Sequence, residues 1–419
     1  MIKAIYKRLA ALLLLLLPLG HIPFALASTV IEQAVDGGSL IKIEVPDDWN
    51  GSLVIYNHGL DLDPAPQPVS LGPLSARQLA QGYAVAASSY SQNGWALFNT
   101  RRDLEAMMEV FRAEFGEPEE VFVHGISLGG IVTAQAWEAA DIGNVVGAYP
   151  ACGAMSGSRI WDGAIDVRLS YDVICSQVEG AKIPGGARGF PERFTERPDA
   201  TTELTSALQA CFGIFAAPDQ RSAEQQARLD QFVENAGIPV SFVTIDVGFA
   251  TLTLSDLIFD PTKLDGKRGL GNVGVTYRDP EIDATIRRVS PRPGAQKKLE
   301  RKYELRGRAG KTKVLSTHTS GDGLLPVGVQ GVLAEIVPAN QLTVAIVDEG
   351  EVATHCGYTE AELVAGWDVL RAWTAGGPQP TAQDVQDACL AAEADDAAGP
   401  CRYNPDFVIP NLDDIIPPR

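Results

Sequence analysis

The sequence is short of positive charge, and this shortage limits which partners the protein can have. Its 419 residues include 34 Lys and Arg against 53 Asp and Glu, a formal net charge of −19. Residues 1–27 hold three basic and no acidic residues, so the rest of the chain has 31 basic against 53 acidic residues, or −22. A chain this acidic repels nucleic acid and anionic membrane surfaces. We therefore expect neither as a partner.

Long apolar runs are also scarce, and the clearest one lies near the N-terminus. It spans Leu12–Leu17, follows Lys3, Lys7 and Arg8, and precedes the small-residue site Ala25-Leu26-Ala27. This is the pattern of a cleaved secretory signal peptide. The alternative, an uncleaved membrane anchor, is disfavoured because the run is short for a bilayer and is broken by proline and glycine. We expect a secreted or periplasmic protein, with no lipid anchor and no stable membrane insertion after cleavage.

Cysteine is rare, but its even number is informative in an exported chain. Six cysteines allow fifteen pairings into three disulfides. We favour Cys389–Cys401 as a short local loop, Cys175–Cys211 within one predicted segment, and Cys152–Cys356. The alternative for each is a buried free thiol. None of the six has the close spacing of a zinc site.

A strand, a tight turn and a helix follow one another in the first third of the chain. The apolar run Val121–Val123 leads into Gly125-Ile126-Ser127-Leu128-Gly129, and the helical stretch 130–136 follows. In this context G-x-S-x-G predicts a nucleophile elbow, in which glycines permit the turn and the serine is presented at the sheet edge. The alternative is an ordinary Gly-rich strand–helix turn.

Strand and helix signals alternate on both sides of this elbow. They predict an α/β fold with a mostly parallel central sheet flanked by helices. The alternation stops at residue 153 and resumes at Lys313, and we interpret residues 153–310 as a large cap. The predicted organisation is a signal peptide at 1–27, a core at 28–152, a cap insertion at 153–310, a second core part at 311–375 and a C-terminal tail at 376–419 that wraps the surface.

Histidine, the side chain best suited to acid–base chemistry near neutral pH, is scarce in this chain. Each histidine can therefore be considered in turn as the base for Ser127. A serine nucleophile needs a base to take its proton. Beyond residue 27 the chain has four histidines, at positions 58, 124, 318 and 355. His124 is expected to point away from Ser127, and His58 belongs to an early turn. His355, on a loop after the last predicted strand, is the predicted base, with His318 as the alternative.

The carboxylate that orients this base should follow the next-to-last strand. Asp322 lies there, in Gly321-Asp322-Gly323. The alternatives are an Asp-Gly turn selected only for its conformation, or Asp348 as the acid because it is close to His355 in sequence. We favour Asp322.

The order Ser127, Asp322, His355 resembles that of the α/β-hydrolase superfamily. The elbow and the turn His58-Gly59 add to the resemblance, which covers residues 28–152 and 311–375 but not the cap. It implies an α/β-hydrolase fold, and an oxyanion hole formed by the backbone N–H groups of Leu60 and Leu128. The alternative for His58-Gly59 is an ordinary strand-end turn.

Within that superfamily the stretch Thr354–Glu360 is similar to exported bacterial esterase-like proteins. Tannase and feruloyl-esterase relatives often place cysteines beside both the serine and the histidine. Here Cys356 follows the histidine, but Ile126 precedes the serine, a departure from the tannase group that leaves Cys152 as the partner of Cys356. The resemblance implies a serine hydrolase that acts on a small-molecule or oligomeric carboxylic ester, without a metal or organic cofactor.

Several points stay open at the level of sequence. Tyr90 and Trp95 follow a predicted strand and either line the substrate pocket or pack their loop. A peptidase or amidase would need an acidic anchor, for which Glu179 or Glu203 in the cap could serve, and a non-catalytic binding protein is a third alternative. Residues 287–313 hold eleven basic residues and two acidic ones, either a solvated helix and linker or a basic rim that attracts carboxylate-bearing substrates. The sequence predicts no oligomeric state.

Overall fold

The computed structural model describes residues 28–63, 68–350, 352–393 and 398–419, so the predicted signal peptide lies outside the described residues. Eight strands form one sheet in the order β1-β2-β4-β3-β5-β6-β7-β8. The first two pairings, β1 with β2 and β2 with β4, are antiparallel, and all the others are parallel. The strands are β1 Ser28–Ala34, β2 Leu40–Pro46, β3 Ser52–Asn57, β4 Ala84–Ser88, β5 Glu120–Ile126, β6 Val145–Ala151, β7 Lys313–Thr319 and β8 Leu342–Val347.

Helices cover both faces of this sheet and recur through the chain between β6 and β7. They are α1 Ser75–Ala80, α2 Thr100–Phe115, α3 Leu128–Ala139, α4 Arg159–Cys175, α5 Ala200–Phe212, α6 Ala223–Ala236, α7 Val243–Gly248, α8 Leu254–Phe259, α9 Pro280–Thr285, α10 Pro293–Tyr303, α11 Val329–Ile336, α12 Glu360–Thr374 and α13 Ala382–Glu393. A π-helical turn, Phe249–Thr253, joins α7 to α8. Short 3-10 turns lie at Ala96–Phe98, Gly186–Arg188, Phe194–Glu196, Pro218–Gln220, Val240–Phe242 and Leu412–Asp414.

The central strands are buried and largely apolar because both faces of the sheet are covered. All six residues of β3 are buried. Leu53 and Ile55 pack in one core with α2 and α3, whereas Val54 packs in the other with Trp367 and Leu370 of α12. Successive side chains of a strand point to opposite faces, so a strand between two helical layers needs apolar residues on both of its faces. This arrangement confirms the predicted fold class.

The chain between β6 and β7 is described throughout and contains helices α4–α10 but no strand. Its apolar side chains do not form a core of their own. Trp161, Phe232 and Leu254 belong to the same buried cluster as the side chains of α2 and α3. The helices of this segment therefore share one continuous apolar core with the helices that flank the sheet.

One cap helix, Val240–Phe259, is long and apolar enough to cross a membrane by length and composition. Within the fold, 72% of its apolar window is buried. Val243, Leu254 and Leu257 on this helix are fully buried against the rest of the protein. A core helix of a globular protein passes the same test, because burial in protein and burial in lipid select the same side chains.

The C-terminal segment does more than wrap the surface. Helix α13 packs against α12, and residues of the last stretch pair with the sheet edge through Val347 and Tyr403. The terminal Arg419 reaches the cap, where its guanidinium lies 3.1 Å from a carboxylate oxygen of Asp162 and 3.0 Å from one of Asp166. The tail therefore connects the sheet and the cap.

Candidate active site

Ser127 occupies a strained turn between β5 and α3. Its backbone has φ 60° and ψ −123°, a region that residues with a side chain rarely adopt. A Cβ on Gly129 would lie 1.9 Å from the carbonyl oxygen of Asn57, and one on Gly125 would lie 2.2 Å from that of Gly129. Both positions therefore require glycine. The sequence G-x-S-x-G folds here into the geometry of a nucleophile elbow.

A chain of hydrogen bonds joins the serine to the predicted base and acid. The Oγ of Ser127 lies 2.7 Å from Nε2 of His355, and Nδ1 of His355 lies 2.7 Å from Oδ2 of Asp322. The other carboxylate oxygen of Asp322 accepts from the backbone N–H groups of Leu324 and Leu325, each at 3.0 Å. Because a carboxylate accepts, Nδ1 of His355 carries the proton and Nε2 is free to accept from the serine hydroxyl.

Burial differs along this chain in a way that suits acid–base chemistry. The Asp322 side chain is fully buried, and the His355 side chain is 19% exposed. Ser127 is partly exposed. The three residues come from the ends of β5, β7 and the loop after β8, where the carboxyl ends of parallel strands meet. The structure thus brings the three predicted residues together, with only the serine end of the chain open to a substrate.

A disulfide holds the loop that carries His355. Cys356 is bonded to Cys152, which directly follows β6, and the N–H of Cys152 donates to Thr317 of β7 at 2.8 Å. Both cysteines have positive φ angles, 43° for Cys152 and 59° for Cys356. Such backbone conformations persist only where the surroundings enforce them. The other two bridges are Cys175–Cys211 and Cys389–Cys401, so the six cysteines pair as predicted.

Two other histidines, His318 and His124, form hydrogen bonds with groups other than Ser127. His318 is buried, its Nε2–H donates to the carbonyl of Leu325 at 2.6 Å, and its Nδ1 accepts from the Gln330 amide. Burial lowers the pKa of His318. His124 is also buried, with Nδ1 2.8 Å from the Tyr149 carbonyl, and burial lowers its pKa to about 4. Neither ring has a hydrogen bond to Ser127.

The alternative acid, Asp348, has other hydrogen-bond partners. Its carboxylate accepts hydrogen bonds from the Asn404 amide at 3.1 Å and from the Ser320 hydroxyl at 3.3 Å. These hydrogen bonds, with that from Asn404 the strongest influence, lower the pKa of Asp348. It therefore fixes the tail against the sheet edge.

The turn predicted to supply the first oxyanion donor borders the serine. A Cβ on Gly59 would lie 3.4 Å from Cβ and 3.8 Å from Oγ of Ser127. Leu60 is the next residue of this turn, and Leu128 is the first residue of α3. The assignment of these two N–H groups to an oxyanion hole stays a prediction, and the close approach of Gly59 is what makes it sterically feasible.

Tyr90 and Trp95 pack their loop. Tyr90 is 3% exposed, its ring stacks on His58 with centroids 4.1 Å apart, and its hydroxyl donates to the His58 carbonyl. Trp95 is 2% exposed and lies edge-on to Trp161 and Phe249 of the cap. Tyr90 thus supports the turn beside Ser127, and Trp95 joins the cap to the core.

Sequence reasoning missed one ionisable side chain near the site. Asp246 of α7 is 6% exposed, and its Oδ2 is buried without a hydrogen-bond partner among the described residues. Burial, and next the negative charge of Asp322, raise the pKa of Asp246 well above its usual range. It lines a largely apolar cavity with Gly323 and Leu324, which follow Asp322 in the loop after β7. Asp246 stands within an apolar run and belongs to no motif, so no sequence signal pointed to it.

Comparison with known proteins adds little. No family model and no curated protein matches the sequence. Among solved structures, the rice cell wall degrading esterase LipA from Xanthomonas oryzae gives a TM-score of 0.41 at 14% identity, covering 77% of this chain and 83% of that one. Esterase RhEst1 from Rhodococcus sp. ECU1013 gives 0.38 at 15% identity, covering 83% and 98%. Esterase Pf2001 from Pyrococcus furiosus gives 0.35 at 10% identity, covering 77% and 81%.

Such distant similarities carry no conclusion about activity. The fold class follows instead from the topology of this structure. Strand order β1-β2-β4-β3-β5-β6-β7-β8, the elbow after β5 and the loops after β7 and β8 together constitute the α/β-hydrolase fold.

Proposed function

We propose that this protein is a serine hydrolase that cleaves carboxylic esters through an acyl-enzyme intermediate. The observation that supports it is the hydrogen-bonded chain from Ser127 through His355 to Asp322, with both contacts at 2.7 Å. A serine hydroxyl becomes a competent nucleophile only when a base takes its proton, and an oriented carboxylate stabilises the resulting imidazolium.

In this reaction Oγ of Ser127 attacks the ester carbonyl while Nε2 of His355 takes the hydroxyl proton. The N–H groups of Leu60 and Leu128 donate to the oxyanion of the tetrahedral intermediate. The intermediate collapses, the C–O bond to the alcohol breaks, and His355 returns the proton to the leaving alkoxide. A water molecule then attacks the acyl-enzyme with His355 again as the base, which releases the carboxylic acid and restores Ser127.

We also propose that the protein works outside the cytoplasm. Support comes from the signal-peptide pattern in residues 1–27 and from the pairing of all six cysteines in disulfides. Disulfides persist in oxidising compartments such as the periplasm or the medium.

The test is the release of p-nitrophenol from short p-nitrophenyl esters by the purified protein. Ser127→Ala should abolish turnover. Asp322→Asn should lower kcat by about 10⁴-fold, because an amide fails to hold the productive imidazole tautomer. The matched control is Asp348→Asn, which removes the same charge from the alternative acid and should leave kcat near the wild-type value. Equal, slow release by wild type and Ser127→Ala would exclude the proposal.

The peptidase alternative gains no support from its two predicted anchors. The Glu203 carboxylate is already paired with Arg197 at 2.7 Å, and Glu179 is exposed on the surface. Aminoacyl p-nitroanilides in the same assay separate the two activities. Hydrolysis of anilides without hydrolysis of esters would favour the peptidase.

A further inference from the structure

The basic segment noted in the sequence becomes part of a groove on the cap surface. We call it the arginine groove. Three stretches line it, and they come from the loop after α4, the loop after α8 and the chain leading into α10. Its basic side chains are Arg188, Lys267, Arg268, Arg287, Arg288 and Arg292.

Most of the positive charge in the arginine groove is not neutralised. Lys267 pairs with Asp265 and Arg288 with Asp283, each at 2.7 Å. Within the described ranges the other four guanidinium groups have no carboxylate oxygen within 4 Å. Asp172 of α4 attracts one of them, Arg287, but it is already paired with Arg168.

These uncompensated charges repel one another. The backbone holds Arg268 in place, since its Nε donates to the Leu270 carbonyl at 3.2 Å and its Nη2 to the Ser290 carbonyl at 2.8 Å. Burial, followed by the positive charges of Arg188, Arg287 and Arg292, lowers the pKa of the Arg268 guanidinium. Like charges this close cost folding free energy, and in an otherwise acidic chain such a cluster needs a reason beyond solubility.

The start of α10 adds to the same field. This eleven-residue helix begins at Pro293 with Arg292 as its N-cap, and its first turn contains no acidic residue. Gly294 and Ala295 of that turn also line the arginine groove. The positive end of a helix dipole favours an acidic side chain or a bound anion, whereas an arginine there is unfavourable. The N-terminal end of α10 and the guanidinium groups therefore both favour a bound anion.

We propose that the arginine groove binds a ligand that carries two or more carboxylate or phosphate groups. Guanidinium forks match both oxyanions in a bidentate geometry, and several forks in one groove favour a multivalent ligand over a single charge. A membrane surface or a nucleic-acid duplex extends well beyond one groove, and the strongly negative net charge of the whole chain disfavours both. The ligand is thus a small polyanion or a narrow acidic chain that fits within the groove. Its binding does not depend on ester hydrolysis.

Titration calorimetry on the full chain in 20 mM and 150 mM NaCl tests this directly. The probes are citrate, pyrophosphate and an oligogalacturonate, with acetate as the monovalent reference. We expect saturable binding of at least one polyanion, weaker binding in 150 mM NaCl because salt screens the charges, and much weaker binding of acetate. If citrate or oligogalacturonate binds most tightly, the natural ligand carries carboxylates. If pyrophosphate binds most tightly, it carries phosphates.

The variant is Arg287→Gln with Arg292→Gln. Both side chains are exposed and contribute no side-chain hydrogen bond in the described structure, so the fold should be unaffected. The control, Arg301→Gln with Arg308→Gln, removes the same charge from exposed positions outside the groove. The groove variant should bind at least about tenfold more weakly, since a charged hydrogen bond is worth about one to two powers of ten in affinity. The control should bind like wild type, and both should hydrolyse a neutral nitrophenyl ester normally.

Two results would overturn the proposal. One is the lack of saturable binding of any polyanion in 20 mM NaCl. The other is an equal loss of affinity in the groove variant and the control, which would reduce the effect to net charge.

Discussion

The disulfide between Cys152 and Cys356 should matter for catalysis as well as for stability. It ties the residue next to His355 to the end of β6, across a sequence separation of 204. The perturbation is Cys152→Ser with Cys356→Ser. In the chain-entropy model a closed loop of this length restricts the unfolded chain by about 5 kcal/mol, and measured bridges contribute about 2–4 kcal/mol. We therefore expect the free energy of unfolding to fall by about 2–5 kcal/mol.

A second bridge supplies the matched control. Cys389 and Cys401 are 12 residues apart, and the same model gives about 3 kcal/mol for so short a loop. This bridge joins α13 to the tail; Cys389 lies in the core formed with α12, and the half-buried Cys401 packs against that core. Cys389→Ser with Cys401→Ser should therefore destabilise the protein without moving His355.

Two measurements separate a loss of protein stability from a displacement of His355. Urea unfolding gives the free energy of each variant, and kcat for a nitrophenyl ester is measured where circular dichroism shows both variants folded. A displacement of the base by about 1 Å costs roughly 10²-fold in rate. We expect a loss of that order for the Cys152/Cys356 variant and a kcat close to wild type for the Cys389/Cys401 variant.

Two outcomes would refute the reasoning. If the folded Cys152/Cys356 variant keeps the wild-type kcat, the remaining hydrogen bonds suffice to position His355. If both variants lose activity equally, the loss reflects general destabilisation and the bridge beside the histidine has no special role.

Two further predictions concern the elbow and its neighbour in β5. Gly129→Ala places a Cβ 1.9 Å from the Asn57 carbonyl oxygen and should yield little folded protein, whereas Gly294→Ala, with nothing within 4 Å, should express and melt like wild type. Burial lowers the pKa of His124 from 6.5 to about 4, so the unfolded chain takes up the proton first as the pH falls. Stability should therefore drop between these pH values by up to about 3 kcal/mol, and His124→Asn, whose amide can still donate to Tyr149, should remove that part of the pH dependence in urea titrations. An unchanged pH profile in His124→Asn would contradict the assignment.

The local signals around the elbow were sufficient to predict the core of the fold. Glycines at 125 and 129 permit the turn, and the apolar run before it is a strand of the sheet. Because histidine is so scarce, position on the chain alone led to His355, and the structure places its ring next to Ser127. Asp322 follows from the same strand order.

The surroundings of the site could not be predicted in this way. Asp246 approaches Asp322 because the 3-10 turn that leads into α7 contacts the loop after β7, where the Phe242 ring lies against Gly323. The roles of Tyr90 and Trp95 were open in the sequence, since a loop after a strand is equally compatible with packing and with a pocket. Tyr90 packs on His58 of a distant turn, and Trp95 packs on Trp161 and Phe249 of the cap, which has no motif of its own.

By itself the sequence determined the order of strands and helices, the elbow and the chemical identity of the three residues that meet at the strand ends. These features depend on backbone preferences and side-chain periodicity over a few neighbouring residues. Only the tertiary structure decided which surfaces the cap covers, how the tail reaches Asp166, and that Arg188 and Arg292 line one groove. Such contacts join residues far apart in the chain, and their formation depends on how whole helices pack into a single core.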